Sequence, residues 1–406
     1  MKVLVVGSGG REHALAWKLS QSPLLTQLHA APGNPGIATL GECHPVRAED
    51  GEGLLDLASS LSVDLVVVGP ETPLVAGVGD ELRHAGVAVF GPGLEAARIE
   101  GSKSFAKEVM AAAGVPTAET MSVARVPCVL KVDGLAAGKG VFVCPDQESL
   151  DAALGEIARL GQRVLIEELL EGDELSLFAL ADGRNAVALA PARDYKRVGD
   201  ADTGPNTGGM GSYSPVPGFG PAEVEELVDA VHRPVLAELD RRGSPFVGLL
   251  YAGLMLTEGG PKVLEFNCRF GDPETQSILP RLQGDLLEAL AAAAAGDLLS
   301  VDPGVDDGAA VTVVLASRDY PAAGDSGTPI EGVHDAEVAG ALVFHAGTAS
   351  YSERLVTNGG RVLDVTALGG TIDEARERAY ARCAEISFDG MQFRRDIAAR
   401  EVNVAG

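Results

Sequence analysis

Val263–Glu274 reads VLEFNCRFGDPE, and in an extended strand its Glu265 and Asn267 project from one face, two residues apart. Two oxygen donors at that spacing suit a hard dication such as Mg²⁺, which completes its shell with water and substrate phosphates. Arg269 falls on the same face, where a guanidinium offsets charge on a transferred phosphoryl group. Glu and Asn also alternate by chance on exposed strands; the adjoining Gly-Asp-Pro-Glu singles this pair out. Only eight of the 32 basic residues are lysine, and four of those, Lys103, Lys131, Lys139 and Lys196, fall in glycine-containing segments. Lysine is a mobile point charge for phosphate, so the placement fits a phosphate-handling site.

The stretch Arg193–Pro215, RDYKRVGDADTGPNTGGMGSYSP, has neither the apolar period of a helix nor the alternation of a strand. Loops of this length inside compact domains are functional or disordered. Tyr195, Met210 and Tyr213 offer packing, so an ordered binding loop is expected. Gly204, Gly208, Gly209 and Gly211 let backbone N–H groups approach a ligand. Arg193, Asp194, Lys196 and Arg197 supply both signs of charge, which suits something small and doubly charged.

Two glycine motifs resemble nucleotide loops and depart from them. GSGGREH (Gly7–His13) has Glu12 where a dinucleotide fingerprint needs its third glycine, and no acidic residue follows at the ribose-binding distance. Its N–H groups still open a helix, where the dipole favours phosphate; a purely structural turn is the alternative. GLAAGKG (Gly134–Gly140) lacks Walker spacing and the Walker Ser/Thr, and it joins two strands. A flexible hairpin carrying Lys139 reads instead as a phosphate lid. At Glu167-Glu168-Leu169-Leu170, backbone groups could read an adenine edge, with Glu174 bonding ribose hydroxyls. An ordinary strand end is the alternative there.

The elements that must position these residues follow a βαβ rhythm over the first hundred residues, with strands at Val3–Val6, Leu28–Ala31, Leu65–Val68 and Val87–Phe90. Each strand runs into a Gly/Pro turn, and all four turns belong to the carboxyl edge of a parallel sheet, where ligands bind. After Gly101 come a helix from Lys103, strands at Val129–Val132, Val141–Cys144 and Val164–Glu167, and longer strands at Leu175–Ala181, Val247–Leu256 and Lys262–Asn267. A separate carboxy-terminal portion starts near Val301, and its helix opens with a capping box, Thr371-x-x-Glu374.

Composition narrows the class. A net charge of −26 argues against nucleic acid and anionic membranes as partners. Five scattered cysteines with no Cys-x-x-Cys fit reduced thiols in a cytoplasm. No stretch approaches the roughly 18 apolar residues of a spanning helix, and MKVLVVG turns polar too soon for a signal peptide.

Taken in order, VLKVDGLAAGKG, VLIEELLEGDE, RDYKRVGDADTGPNTGGMGSYSP, FVGLLYAGLM and VLEFNCRFGDPETQ resemble the phosphoribosylamine–glycine ligase family (glycinamide ribonucleotide synthetases) of the ATP-grasp superfamily. The resemblance runs from GSGGREHALAWK to VTNGGRVLDVTALG. It implies an α/β and α+β multidomain fold: a parallel α/β domain over 1–100 on the phosphoribosylamine side, an ATP-grasp core over 101–300 with a lid at about 117–178, and a C-terminal α+β domain over 301–406. It implies a cytoplasmic monomer that joins glycine to 5-phosphoribosylamine through a glycyl phosphate, using ATP and Mg²⁺ or Mn²⁺. Carried over residue by residue, Arg269, Lys131 and Lys139 are catalytic. Lys103, Lys131, Gly138, Lys139, Glu167, Glu168, Leu170 and Glu174 bind ATP, and Glu265 and Asn267 bind metal. Gly9, Gly10, Asn34, Pro70 and Glu71 line the phosphoribosylamine site. Asp194, Lys196, Gly208, Gly209, Asp272, Pro273 and Glu274 hold glycine and the reacting centre. The chain departs from its relatives in a short lid, in having no acid across Tyr251–Thr257 to serve as a further metal ligand, and in SRDYP (Ser317–Pro321), for which no chemical consequence is expected. Rival readings are a carboxylase or formyl-phosphate-using ATP-grasp enzyme and an inactive ATP-binding protein.

Overall fold

A computed structural model describes residues 1–135, 140–160, 163–333 and 340–402. Its first unit is a five-stranded parallel sheet of β1 (Lys2–Gly7), β2 (Gln27–Pro32), β3 (Glu42–Cys43), β4 (Leu65–Val68) and β5 (Val89–Phe90), ordered β3-β2-β1-β4-β5. Val3 to Val6 are fully buried, because helices cover both faces and leave no solvent side to alternate toward. Helix α1 (Gly10–Leu19) follows β1, and α2 (Gly51–Leu61), α3 (Glu71–Val75), α4 (Val78–His84) and α5 (Leu94–Gly101) complete the cover. Four strands were expected; β3 is the fifth, and two residues are too few to leave a pattern.

Helix α6 (Lys103–Ala113) is capped by Ser102, which accepts from the Phe105 N–H, and ends at Gly114 in the left-handed region. Next come β6 (Cys128–Val132), β7 (Val141–Cys144), α7 (Gln147–Leu160) and β8 (Val164–Glu168). They form an antiparallel sheet, β7-β6-β8, with its own small core of Cys128, Leu130, Val132, Cys144, Leu150, Ala153 and Ile157. A layer with a separate core is free to act as a lid.

The central sheet, ordered β10-β9-β15-β16, is antiparallel: β9 (Asp173–Asp182), β10 (Ala186–Ala188), β15 (Val247–Thr257) and β16 (Gly260–Asn267). Between β10 and β15 the chain forms β11 (Arg193–Asp194), β12 (Arg197–Gly199), β13 (Thr203–Asn206), β14 (Gly211–Ser214) and the long helix α8 (Pro221–Arg241). The expectation of a strandless loop over Arg193–Pro215 is therefore corrected. β12 and β13 make a hairpin, while β11 and β14 join the carboxy-terminal sheet. The strands escaped notice because Gly211–Ser214 is buried throughout, which removes alternation, and the others are only two to four residues long. Tyr195, Met210 and Tyr213 are buried, as their packing role required.

After α9 (Glu274–Ile278) and α10 (Leu286–Ala295) come β17 (Ala309–Ala316), β18 (Asp325–Pro329), β19 (Ala341–His345), β20 (Thr348–Tyr351), β21 (Arg354–Gly359), β22 (Arg361–Gly369), α11 (Ile372–Cys383) and α12 (Ala399–Val402). They build a five-stranded sheet, β11-β14-β17-β22-β19, and a three-stranded one, β18-β21-β20. Thr371 caps α11 by accepting from the Glu374 N–H, and the Glu374 carboxylate accepts from Gly370, one residue before the cap.

Candidate active site

A cavity of about 1050 Å³ opens between the lid sheet and the central sheet. Lys131, Val141, Val143, Glu167 and Glu168 form one side; Tyr251, Met255, Leu264, Glu265 and Asn267 form the other. At one end stand Asp194, Lys196, Gly208, Asp272 and Glu274, with Arg11, Pro70 and Glu71 reaching in from the first unit.

The lysines are placed by strand and helix ends. Lys131 on β6 points inward, its Nζ 2.7 Å from Glu167 Oε2 and donating to the Leu264 carbonyl at 2.8 Å. Lys103 opens α6 and donates to the Gly134 carbonyl at 2.9 Å. Lys107, one helical turn further on, holds Glu167 Oε1 at 2.8 Å. Burial lowers the Lys103 and Lys107 ammoniums below the usual lysine range. Gly138 and Lys139 lie outside the described residues.

Three residues expected at the nucleotide make ion pairs within the chain. The Glu167 carboxylate is engaged by Lys107 and Lys131, and the Glu174 carboxylate accepts from Lys196 at 2.6 Å. Glu168 binds Lys262 at 2.7 Å and accepts from the Glu119 N–H. Leu169 and Leu170 line the apolar part of the cavity with Val129, Met255 and Phe266. That part is apolar enough to suit a flat ring, and the lysines beyond it carry the charge that phosphates require.

Glu265 and Asn267 project from β16 into the cavity, as two-residue spacing requires. Their antiparallel partners on β15 are Gly253 and Tyr251. Among the described residues no hydrogen bond or close ion pair engages the Glu265 carboxylate. Burial alone would raise it, but the fields of Lys196, Lys131, Lys103 and Arg269 outweigh burial and hold it ionised. An ionised, unengaged carboxylate beside an amide oxygen is a donor set that fits a hard dication. Arg269 bridges Glu71 and Glu100, both at 3.2 Å. Burial would raise Glu71 also, yet Arg269 and Arg11 hold it at about 2.

The far wall is a second charged cluster. Burial pushes the Asp194 carboxyl up to about 7 against the attraction of Lys196. Burial likewise raises Glu274, whose carboxylate accepts from Ser176 Oγ at 3.3 Å. Asp194 lies close enough to Glu265 for the two carboxyls to act on each other electrostatically. Arg361 ties the wall together: it pairs with Asp272 at 2.8 Å and donates to the Gly208 and Asp272 carbonyls. Gly209, with a φ of +116°, packs so closely on Pro273 that a Cβ would come within 2.4 Å of its ring. SRDYP does have a consequence, since Tyr320 Oη accepts from the Gly208 N–H at 2.8 Å.

At the first unit, the chain's own acids approach the start of α1. The Gly9 N–H donates to Glu12 Oε2 at 2.6 Å, and a Cβ on Gly10 would lie 1.8 Å from Asp364 Oδ2. Glu12, the residue that broke the dinucleotide fingerprint, is paired with Arg11 at 2.5 Å, and burial pushes the Asp364 carboxyl up to about 7. Asn34 is buried, donating to the Ser8 and His345 carbonyls and accepting from Ile37. Pro70 and Glu71 do face the cavity.

Sequence reasoning missed Arg11, Glu100, Lys107, Tyr320, Arg361 and Glu401. Lys107 had a signal, its spacing of four from Lys103. Arg361 and Glu401 reach the site from the carboxy-terminal portion and had none.

Comparison with known proteins agrees with this geometry. The phosphoribosylglycinamide synthetase models match as an N domain over residues 1–100, an ATP-grasp (A) domain over 101–275 and a C domain over 310–400. The chain is 52% identical to the phosphoribosylamine–glycine ligase of Streptomyces coelicolor, over 98% of this chain and 99% of that one. It is 48% identical to the Agrobacterium fabrum protein of the same name, over 98% of each. The crystal structure of phosphoribosylamine–glycine ligase from Thermotoga maritima superposes with a TM-score of 0.84 at 36% identity, covering 98% of this chain and all of that one. The biotin carboxylase domain of a Hydrogenobacter thermophilus 2-oxoglutarate carboxylase, solved with MgADP and bicarbonate, shares the fold alone, with a TM-score of 0.73 at 17% identity. With three domains in the same order and near full-length identity of this size, the chain belongs to the phosphoribosylglycinamide synthetase family.

Proposed function

We infer that this chain joins glycine to 5-phosphoribosylamine at the expense of ATP, through a glycyl phosphate, giving glycinamide ribonucleotide, ADP and phosphate in purine biosynthesis. The observation that carries the reading is the cavity itself. Lysines and Glu265 with Asn267 face each other across it, and a mixed-charge wall around Asp194, Lys196 and Glu274 closes one end. A carboxylate is a poor acyl donor, so it must be activated before an amine attacks it; ATP supplies the phosphoryl group, and a dication the charge neutralisation.

Each residue set has a role in this reading. Leu170 and its apolar neighbours take the base, and Lys103, Lys131, Lys139 and Gly138 take the phosphates. Glu265 and Asn267 hold Mg²⁺ or Mn²⁺. Glu167 holds Lys131 in place, and Glu174 holds Lys196. Lys196 attracts the glycine carboxylate, and Asp194 with Glu274 attracts its ammonium. Arg269, pinned between Glu71 and Glu100, offsets charge that develops as the phosphoryl group moves. Pro70 and Glu71 face the phosphoribosylamine, with Gly9, Gly10 and Asn34 behind them acting through backbone. The five free cysteines support a reducing, cytoplasmic setting.

The test is ADP release with ATP and Mg²⁺, adding glycine and freshly generated phosphoribosylamine separately and together. Turnover that requires both establishes the ligase. Turnover with another acid in place of glycine overturns the substrate assignment, and nucleotide binding without turnover overturns the activity.

A further inference from the structure

Among the described residues, one group of three metal-ligating side chains converges outside the cleft: His29, Glu42 and His44. Their ligand atoms lie within 4.8 Å of one another. We propose that this cluster is a binding site for a transition dication of the zinc type, separate from the Glu265 site.

The placement follows from the sheet. His29 sits on β2 and is paired in parallel register with Glu42 on β3. Alternation along β3 and beyond puts Glu42 and His44 on the same side and turns Cys43 to the other, where its Sγ faces the Asn34 carbonyl at 3.8 Å. His29 Nδ1 lies 3.1 Å from His44 Nε2 and 3.8 Å from Glu42 Oε2. Two nitrogens bound to one tetrahedral zinc at about 2.0–2.1 Å each are held about 3.3 Å apart. The spacing of the two nitrogens is therefore close to that of two imidazoles sharing one ion. Imidazole nitrogens select zinc-type ions over Mg²⁺, which prefers oxygen ligands.

The surroundings agree with that assignment. His29 is buried and fixed by its strand, while Glu42 is largely exposed and free to swing onto the ion. That exposure leaves a coordination position open to water. An ion on Nδ1 leaves the ring proton on His29 Nε2, which is buried without a partner, so the histidine is oriented by its strand and not by a second hydrogen bond. The Lys2 ammonium acts on His29 from β1, but its Nζ is turned onto the Leu61 carbonyl at 3.0 Å. An ion here clips β3, the short edge strand, to β2. It thereby braces the connection between them, which carries Asn34 and the 3₁₀ turn Ile37–Thr39.

The experiment compares the purified wild type with His44→Ala and Glu42→Gln, neither of which touches the catalytic cleft. Co²⁺ is added as a spectroscopic probe and Zn²⁺ is measured by equilibrium dialysis. The wild type is expected to show visible Co²⁺ ligand-field bands, to bind one more zinc than His44→Ala, and to melt at higher temperature with Zn²⁺ present. Glu42→Gln, at an exposed position, should fold normally and bind zinc at least about tenfold more weakly. Equal zinc stoichiometry and melting shifts in all three proteins would overturn the proposal, leaving the two histidines a hydrogen-bonded pair.

Discussion

Lys131 Nζ and Glu167 Oε2 are 2.7 Å apart, and the other oxygen of the same carboxylate holds Lys107 at 2.8 Å. One buried anion thus spaces two ammoniums on neighbouring elements. Removing it as Glu167→Gln leaves those cations facing each other, and breaking a buried pair of this kind costs about 3–5 kcal/mol. The expected result is a clear fall in melting temperature together with a KM for ATP raised by about tenfold or more. Unchanged ATP affinity would show that Lys131 needs no such support.

Glu265→Gln keeps the shape and loses the charge. No hydrogen bond or close ion pair among the described residues depends on this carboxylate, so the isosteric amide should keep the fold, with an unaltered circular dichroism spectrum and only a modest loss of stability from the cations left around it. Removing a charge that a dication needs typically costs at least about 10²-fold in kcat. Near-normal turnover at saturating Mg²⁺ would place the metal elsewhere.

The Asp194 carboxyl titrates at about 7 because burial disfavours its charge. If its anion holds the glycine ammonium, kcat/KM for glycine falls as pH drops below about 7, and Asp194→Asn loses both the affinity and that limb of the profile. The stability effect has the opposite sense. The folded state keeps this proton up to about 7, while the unfolded chain releases it near 4, so this group's contribution to stability declines as pH rises between those values. Asp194→Asn should flatten that slope in pH-dependent urea melts.

Arg361→Met removes the tie among Asp272, Gly208 and β22 without touching the nucleotide side. KM for glycine is expected to rise by about 10–100-fold, since charge-assisted hydrogen bonds contribute about 1.5–3 kcal/mol each. The dissociation constant for ATP, measured by calorimetry, should stay within a factor of about three.

Residues that meet within one strand were readable from the chain. Glu265, Asn267 and Lys131 project where two-residue periodicity puts them, and α10 begins and ends at the residues its apolar run suggests. Residues that meet across the fold were not. Nothing near Arg361 announces that it will reach Asp272, 89 positions earlier, or that Glu401 will accept from Arg193 and Tyr213. At the Gly7–His13 motif the chain's own Glu12 accepts from the Gly9 N–H, a contact within one turn that the Glu12 position, three residues beyond Gly9, makes legible. β14 escaped because a fully buried strand of Gly, Ser and Tyr carries no alternation.

The pairing of β14 with β17 also sets an order in time. During synthesis, the lid sheet is complete once Glu168 has emerged, since all three of its strands lie before that point. β14 emerges soon afterwards, but β17 follows about a hundred residues later, roughly 5 to 20 seconds at ribosomal speeds of about 5–20 residues per second. Through that interval β14 lacks the partner that ties it into the carboxy-terminal sheet. A nascent or truncated chain that stops just short of Ala309 therefore has its lid and central sheets but not the strand that β14 pairs with, and the fold becomes whole only when its last quarter arrives.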